Sequence, residues 1–143
     1  MTETAEARIR IDAAPDTVWH AVTDPATIAE YLYGTQVETD WRQGSPIVYR
    51  GEWEGKPYED KGVILEITPP TRLVTSYYSP LSGKPDEPAS YQNVTYALAP
   101  DGDGTAVTIT QDGCADAAEA ERMSTNWSTT LEGMRTVVEG DAR

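Results

Sequence analysis

The sequence predicts an α+β domain in which a curved antiparallel sheet closes around one long C-terminal helix. Three observations carry the prediction. Apolar residues between Ala115 and Glu139 recur every three or four positions, the period of one face of a helix. From Gly34 to Asp112 the apolar period is close to two, as in strands with one buried side. The elements run strand, two short helices, six strands, long helix. Six consecutive strands joined by short turns pair antiparallel in sequence, and a twisting sheet of that width curls, so the one long helix is its natural cover.

Taken in order, Ala7 to Asp12 alternates, with Ile9 and Ile11 on one face and Arg8 and Arg10 on the other. Ala13-Ala14-Pro15 stops the strand, and proline suits the first turn of the helix that follows, Pro15 to Val22, with Val18, Trp19 and Val22 apolar. Asp24-Pro25 breaks and restarts the chain for a second short helix to Leu32, carrying Ile28 and Tyr31. Val37, Thr39 and Trp41 alternate as the next strand. Ile47, Tyr49, Gly51 and Trp53 then share one face of a strand, with Val48, Arg50, Glu52 and Glu54 on the other. Glu54-Gly55-Lys56-Pro57 reads as a turn. A strand from about Glu59 to Ile67 places Val63, Leu65 and Ile67 together, and Thr68-Pro69-Pro70 ends it. Arg72 to Ser79 follows with Leu73, Thr75 and Tyr77 on one side. Pro80 to Ala89 is a loop of unusual length, a type that is often functional. Tyr91 to Leu98 alternates through Val94, Tyr96 and Leu98, and Thr105 to Gln111 through Val107 and Ile109, with Asp101-Gly102-Asp103-Gly104 as the hairpin turn between them. In the final helix Ala120, Met123, Trp127, Leu131, Met134 and Val138 form the stripe. Asp116 is its expected N-cap and Gly140 its expected left-handed stop.

At 143 residues the chain is expected to be a single domain, residues 1–143, large enough for a core without disulfides or metal. Its one cysteine, Cys114, excludes an internal disulfide framework. Neither a signal-peptide pattern nor a membrane-length apolar run is evident, so the cytoplasm is the expected compartment. Acidic residues outnumber basic ones 24 to 11 and the net charge is −13, which argues against nucleic acid and anionic membrane as partners.

The segments Ile11 to Pro25 and Gly62 to Val74, with Trp127 to Glu139, resemble the SRPBCC (START/Bet v 1-like) superfamily. Within it they are most similar to the branch of the activator of Hsp90 ATPase C-terminal domain. The resemblance spans nearly the whole chain. It implies the helix-grip fold, a seven-stranded antiparallel sheet wrapped around a long C-terminal helix with a cavity between them, and it implies no particular reaction.

Strand phase and the helix stripe nominate Trp41, Tyr49, Trp53, Tyr77, Tyr96, Gln111, Met123 and Trp127 as cavity-lining, ligand-binding residues. Aromatic rings with a few polar tips suit a flat, apolar or aromatic small molecule. With no phenylalanine in the chain, Tyr and Trp must also do the bulk packing, so a filled core stays open as the alternative. The layout that the resemblance implies puts Met123 and Trp127 nearer the mouth, with Leu131, Met134 and Val138 expected in pure core. His20 sits off the apolar side of its helix, and no Gly-x-Ser-x-Gly elbow accompanies it, so it reads as a surface histidine. Cys114 is flanked by Asp112 and Asp116, which oppose a thiolate. One His and one Cys make a zinc site unexpected, and no catalytic residue or cofactor is assigned. Glu52, Glu54, Glu59 and Asp60 read as a solvated acidic rim, or as a docking patch for a basic protein.

Three functions follow. The first is a binding or carrier protein gated by the 80–89 loop and the 54–57 turn. The second is an enzyme like the polyketide cyclases and aromatases of the superfamily, against which stands the lack of an evident inward acid or base. The third is a protein-interaction module, a role not transferred because the separate N-terminal domain of full-length Hsp90 activators has no counterpart in these residues. A monomer and a homodimer both remain open.

Overall fold

In strand β1 (Glu3–Ile11), Ala5, Ala7 and Ile11 are buried while Glu6, Arg8 and Arg10 are exposed, the alternation of a one-sided strand. The computed structural model describes residues 3–32, 34–53, 55–79 and 85–141. β1 begins earlier than the alternation at Ile9 and Ile11 predicts, because β7 (Gly104–Cys114) supplies ladder partners as far as Cys114, opposite Glu3. Helix α1 (Pro15–Thr23) opens on Pro15 and buries Val18, Ala21 and Val22. Asp24 then caps α2 (Pro25–Tyr31), its Oδ2 accepting from the Thr27 N–H at 3.1 Å and the Thr27 hydroxyl at 2.6 Å. These bonds hold the Asp24 carboxyl below the usual carboxylate range.

The remaining strands are β2 (Gln36–Glu38), β3 (Pro46–Trp53), β4 (Lys56–Thr68), β5 (Arg72–Tyr77) and β6 (Gln92–Asp101). Among the described residues they form with β1 and β7 one seven-stranded antiparallel sheet in the order β1-β7-β6-β5-β4-β3-β2. The meander pairs in sequence as expected, and β1 adds to its far edge beside β7.

Helix α3 (Ala117–Asp141) packs on β1, β7, α1 and α2. Asp116 caps it, Oδ1 accepting from the Glu119 N–H at 2.8 Å. Two bonds align it with β1: the Glu6 N–H donates to Ser124 Oγ at 3.0 Å and the Asp12 N–H to Glu139 Oε2 at 2.9 Å. The geometry matches, since the strand from Glu6 to Asp12 and the helix from Ser124 to Glu139 each rise roughly 20 Å. The helix runs through Gly140 to Asp141, so Gly140 is a helical residue and not the expected left-handed stop. Leu131 and Met134 are fully buried, in one core with Ile11, Val18, Ile47, Ile64, Val107 and Ile109.

Two strand assignments are corrected. β2 ends at Glu38, and Trp41 lies in the following loop with a left-handed backbone, φ 56°. The alternation through Thr39 to Trp41 is therefore not strand. In β4 the phase is the reverse of that expected: Asp60, Gly62 and Ile64 face inward, while Val63 and Leu65 are 37% and 43% exposed. A register shift between Ile64 and Glu66 then returns Ile67 to the core side. One extra residue in a strand moves everything beyond it to the other face, so Val63 and Leu65 do not share a face with Ile67 as they would in a straight strand. Gly62 is required at this point, because a Cβ there would lie 1.8 Å from the Ser76 carbonyl oxygen of β5. The β3–β4 hairpin is also tighter than expected. Trp53 pairs with Lys56, so Lys56 and Pro57 belong to β4 and not to the turn.

Candidate functional site

The inner face of the sheet and the first half of α3 do not meet completely. They leave a cavity of about 220 Å³. β3 contributes Tyr49, β4 Tyr58 and Asp60, β5 Thr75 and Tyr77, β6 Val94 and Tyr96, and β7 Gln111. Met123, Asn126, Trp127 and Thr130 descend from α3, and Leu32 and Thr35 follow α2. These positions share a face because inward residues alternate along each strand and neighbouring strands are in register. Tyr49 stands opposite Asp60, Thr75 opposite Val94, and Val94 opposite Gln111.

Three polar links hold the lining. The Tyr77 hydroxyl donates to Asp60 Oδ2 at 2.6 Å, and Asp60 Oδ1 is buried with no hydrogen-bond partner among the described residues. The Trp127 indole N–H donates to Gln111 Oε1 at 2.8 Å, while Gln111 Nε2 donates to Gln92 Oε1 at 2.7 Å. The Thr35 hydroxyl donates to the Leu32 carbonyl at 2.7 Å, so its short contact of 2.5 Å with Tyr58 is one in which the tyrosine O–H donates. Tyr58 lies across Gly51, where a Cβ would come 2.6 Å from its hydroxyl. The rings pack edge to face: Tyr49 with Tyr77 at 6.3 Å and Tyr96 with Trp127 at 6.0 Å between centroids.

Burial pushes the Tyr49 hydroxyl up to about 12 and raises those of Tyr77 and Tyr96 as well. Near neutral pH these groups are therefore neutral phenols that donate hydrogen bonds. Asp60 is the one carboxyl among the described lining residues, which include no Lys, Arg or His. The site thus joins an aromatic box to a single buried carboxyl, an arrangement able to hold a flat apolar body and receive one donor or proton.

Of the nominated residues, the structure brings Tyr49, Tyr77, Tyr96, Gln111, Met123 and Trp127 to this cavity. Trp41 is a correction: its left-handed loop position packs it against the core, on a cleft of only about 20 Å³ with Val22, Ile28 and Ile47. Trp53 ends β3, and its side chain lies outside the described part of the structure. Leu131, Met134 and Val138 are core, and Met123 and Trp127 border the cavity. The largest omission is Asp60, expected in a solvated rim and found 9% exposed. Its signal was the hairpin: the pairing of Trp53 with Lys56 sets Asp60 opposite Tyr49. Thr35, Tyr58, Asn126 and Thr130 carried no comparable signal.

His20 is exposed and lies 3.5 Å from Asp24. Cys114 is fully buried, its thiol 3.7 Å from the Gln111 carbonyl oxygen. Residues 80–84 of the expected gating loop lie outside the described residues. Beyond them Asp86 bridges to Lys61 at 2.5 Å and accepts from the Tyr91 hydroxyl at 2.7 Å, which ties that end of the segment to β4. Among the described residues no group of His, Cys, Asp and Glu is placed to hold a metal ion, and no helix is long and apolar enough to cross a membrane.

Residues 12–139 match the family described as Activator of Hsp90 ATPase homolog 1-like protein. Among solved structures, the chain is similar to ChR145 from Cytophaga hutchinsonii, with 41% identity over 98% of this chain and 96% of that one and a TM-score of 0.85. It is similar also to CV1439 from Chromobacterium violaceum, with 25% identity, coverage of 95% and 96%, and a TM-score of 0.77. CalU16 from Micromonospora echinospora, at 24% identity, coverage of 99% and 88% and a TM-score of 0.73, shares the fold. No curated protein matches the sequence.

Proposed function

The chain belongs to the Activator of Hsp90 ATPase homolog 1-like family, and from that premise we propose that it binds a small, flat, largely apolar molecule between sheet and helix, as a carrier or binding protein. The observation that carries this reading is the cavity of about 220 Å³, bordered by Tyr49, Tyr58, Tyr77, Tyr96 and Trp127. A core built only for stability is packed to crystal-like density, and a void of that size forfeits contacts. The volume lies below the roughly 300–1,000 Å³ of pockets for drug-sized ligands, so a molecule of one or two rings fits the reading. The test is a panel of flat one- and two-ring compounds, with tryptophan fluorescence, melting temperature and native mass spectrometry as readouts. Binding quenches Trp127 and raises the melting temperature. A panel that does neither, with no co-purified molecule, refutes the proposal.

A second reading, an enzyme of the cyclase or aromatase kind, is favoured by one specific feature. Asp60, hydrogen-bonded to Tyr77, faces the cavity and so supplies the inward acid or base absent from the sequence reading. A carboxyl positioned beside a bound chain could move a proton while the rings hold the chain in shape. Turnover of a polyketide-like substrate, lost in Asp60→Asn with binding retained, separates this reading from the carrier.

A further inference from the structure

We propose that the cavity selects ligands bearing a protonated amine, which docks on Asp60 Oδ1. The inference rests on the reading of the cavity as a ligand site, and it adds the chemical class of the ligand. Asp60 is 9% exposed, Oδ2 is engaged by the Tyr77 hydroxyl, and Oδ1 has no partner among the described residues. A carboxylate offers about four acceptor positions, so most of this one's capacity is unused where desolvation is costly. A ligand donor relieves that cost at a point where the described residues leave it unmet.

The surroundings select the sign of the donor's charge. Among the described residues no Lys, Arg or His lines the cavity, so none of these neutralises Asp60, and an anionic ligand would meet repulsion. The chain's net charge of −13 contributes a longer-range field of the same sign. Charge-assisted hydrogen bonds are about twice as strong as neutral ones. A cation lying over the face of a bordering Tyr or Trp ring also gains from the ring quadrupole. Trp127 is engaged by Gln111, whose Nε2 donates to Gln92, and Asp60 is the one carboxyl among the described lining residues.

The experiment compares naphthylmethylamine, naphthylmethanol, methylnaphthalene and naphthoate at neutral pH by calorimetry and tryptophan quenching. In the wild-type protein the amine should bind roughly tenfold to a hundredfold more tightly than methylnaphthalene, the range for a hydrogen bond to a charged group. Naphthoate should bind most weakly. The amine's advantage should persist at high salt, because a buried pair is screened far less than the protein's surface field. Asp60→Asn should remove the advantage and leave methylnaphthalene binding in place, whereas Tyr77→Phe, which frees Oδ2, should keep it. An amine that binds no better than methylnaphthalene, or a preference that survives in Asp60→Asn, overturns the proposal while the apolar ligand site stands. Binding of none of the four removes the ligand-site reading itself. The wild-type series decides the matter even if a variant fails to fold.

Discussion

Replacing Tyr77 by Phe removes one oxygen and, with it, the only hydrogen bond that Asp60's carboxylate accepts among the described residues. Asp60 is 9% exposed, so water does not readily replace the lost donor. Hydrogen bonds to charged groups contribute about 1.5–3 kcal/mol, and stranding a buried charged acceptor lies at the upper end of that range. We expect Tyr77→Phe to cost about 2–3 kcal/mol. At about 2.1 cal/mol/K per residue, a chain of 143 residues has an unfolding entropy near 0.3 kcal/mol/K, so the melting temperature should fall by about 7–10 °C. The assay is urea denaturation of the wild type, Tyr77→Phe, Asp60→Asn and the double variant. In the Asp60→Asn background the same substitution should cost about 1 kcal/mol or less, which gives a coupling of about 1–2 kcal/mol. Equal costs in the two backgrounds would refute the Asp60–Tyr77 bond.

Gly62→Ala places a Cβ against the Ser76 carbonyl oxygen at 1.8 Å, a backbone atom that cannot rotate away; it should destabilise by about 3 kcal/mol or more in urea denaturation, beyond ordinary overpacking. Gln111→Leu removes the acceptor of the Trp127 indole and the donor to Gln92, at an expected cost of about 1–3 kcal/mol with a change in tryptophan emission. Stability should also fall in alkali. Tyr49, Tyr77 and Tyr96 have folded-state values above the ordinary 10, so their contribution is complete below pH about 10 and is lost as the pH climbs through the raised values. There the unfolded chain has released protons that the native one retains, and the slope is about −1.4 kcal/mol per pH unit for each tyrosine. Tyrosinate absorbance that appears before unfolding, with Tyr49 near 10, would contradict this.

Asp60 shows how far local pattern reached. Beside Glu52, Glu54 and Glu59 it looks like one more charge on a solvated hairpin, yet residue 60 faces inward because the ladder sets it opposite Tyr49. The neighbouring β4 stripe misled for the same reason: Val63 and Leu65 are exposed aliphatics, and the register shift after Ile64 breaks the period that made them look inward. Trp41 failed differently. Its strand had already ended, and the left-handed turn sends the ring toward Ile47 instead of the cavity. Where neither bulge nor turn intervened, as at Tyr49, Tyr77, Tyr96 and Gln111, strand phase alone placed the side chain.

By itself the sequence determined the order and type of the elements, the sequential pairing of the meander, the capping of α3 by Asp116 and the apolar identity of the central core. These follow from periodicity, turn chemistry and side-chain hydration, which act over a few residues. Tertiary structure alone decided which face β4 presents, that a space remains beneath Met123 and Trp127, and that Asp60 enters it with one oxygen unpartnered among the described residues. Each of those depends on the register between strands and on how closely a rigid helix approaches a curved sheet, quantities set by contacts between residues far apart in the chain.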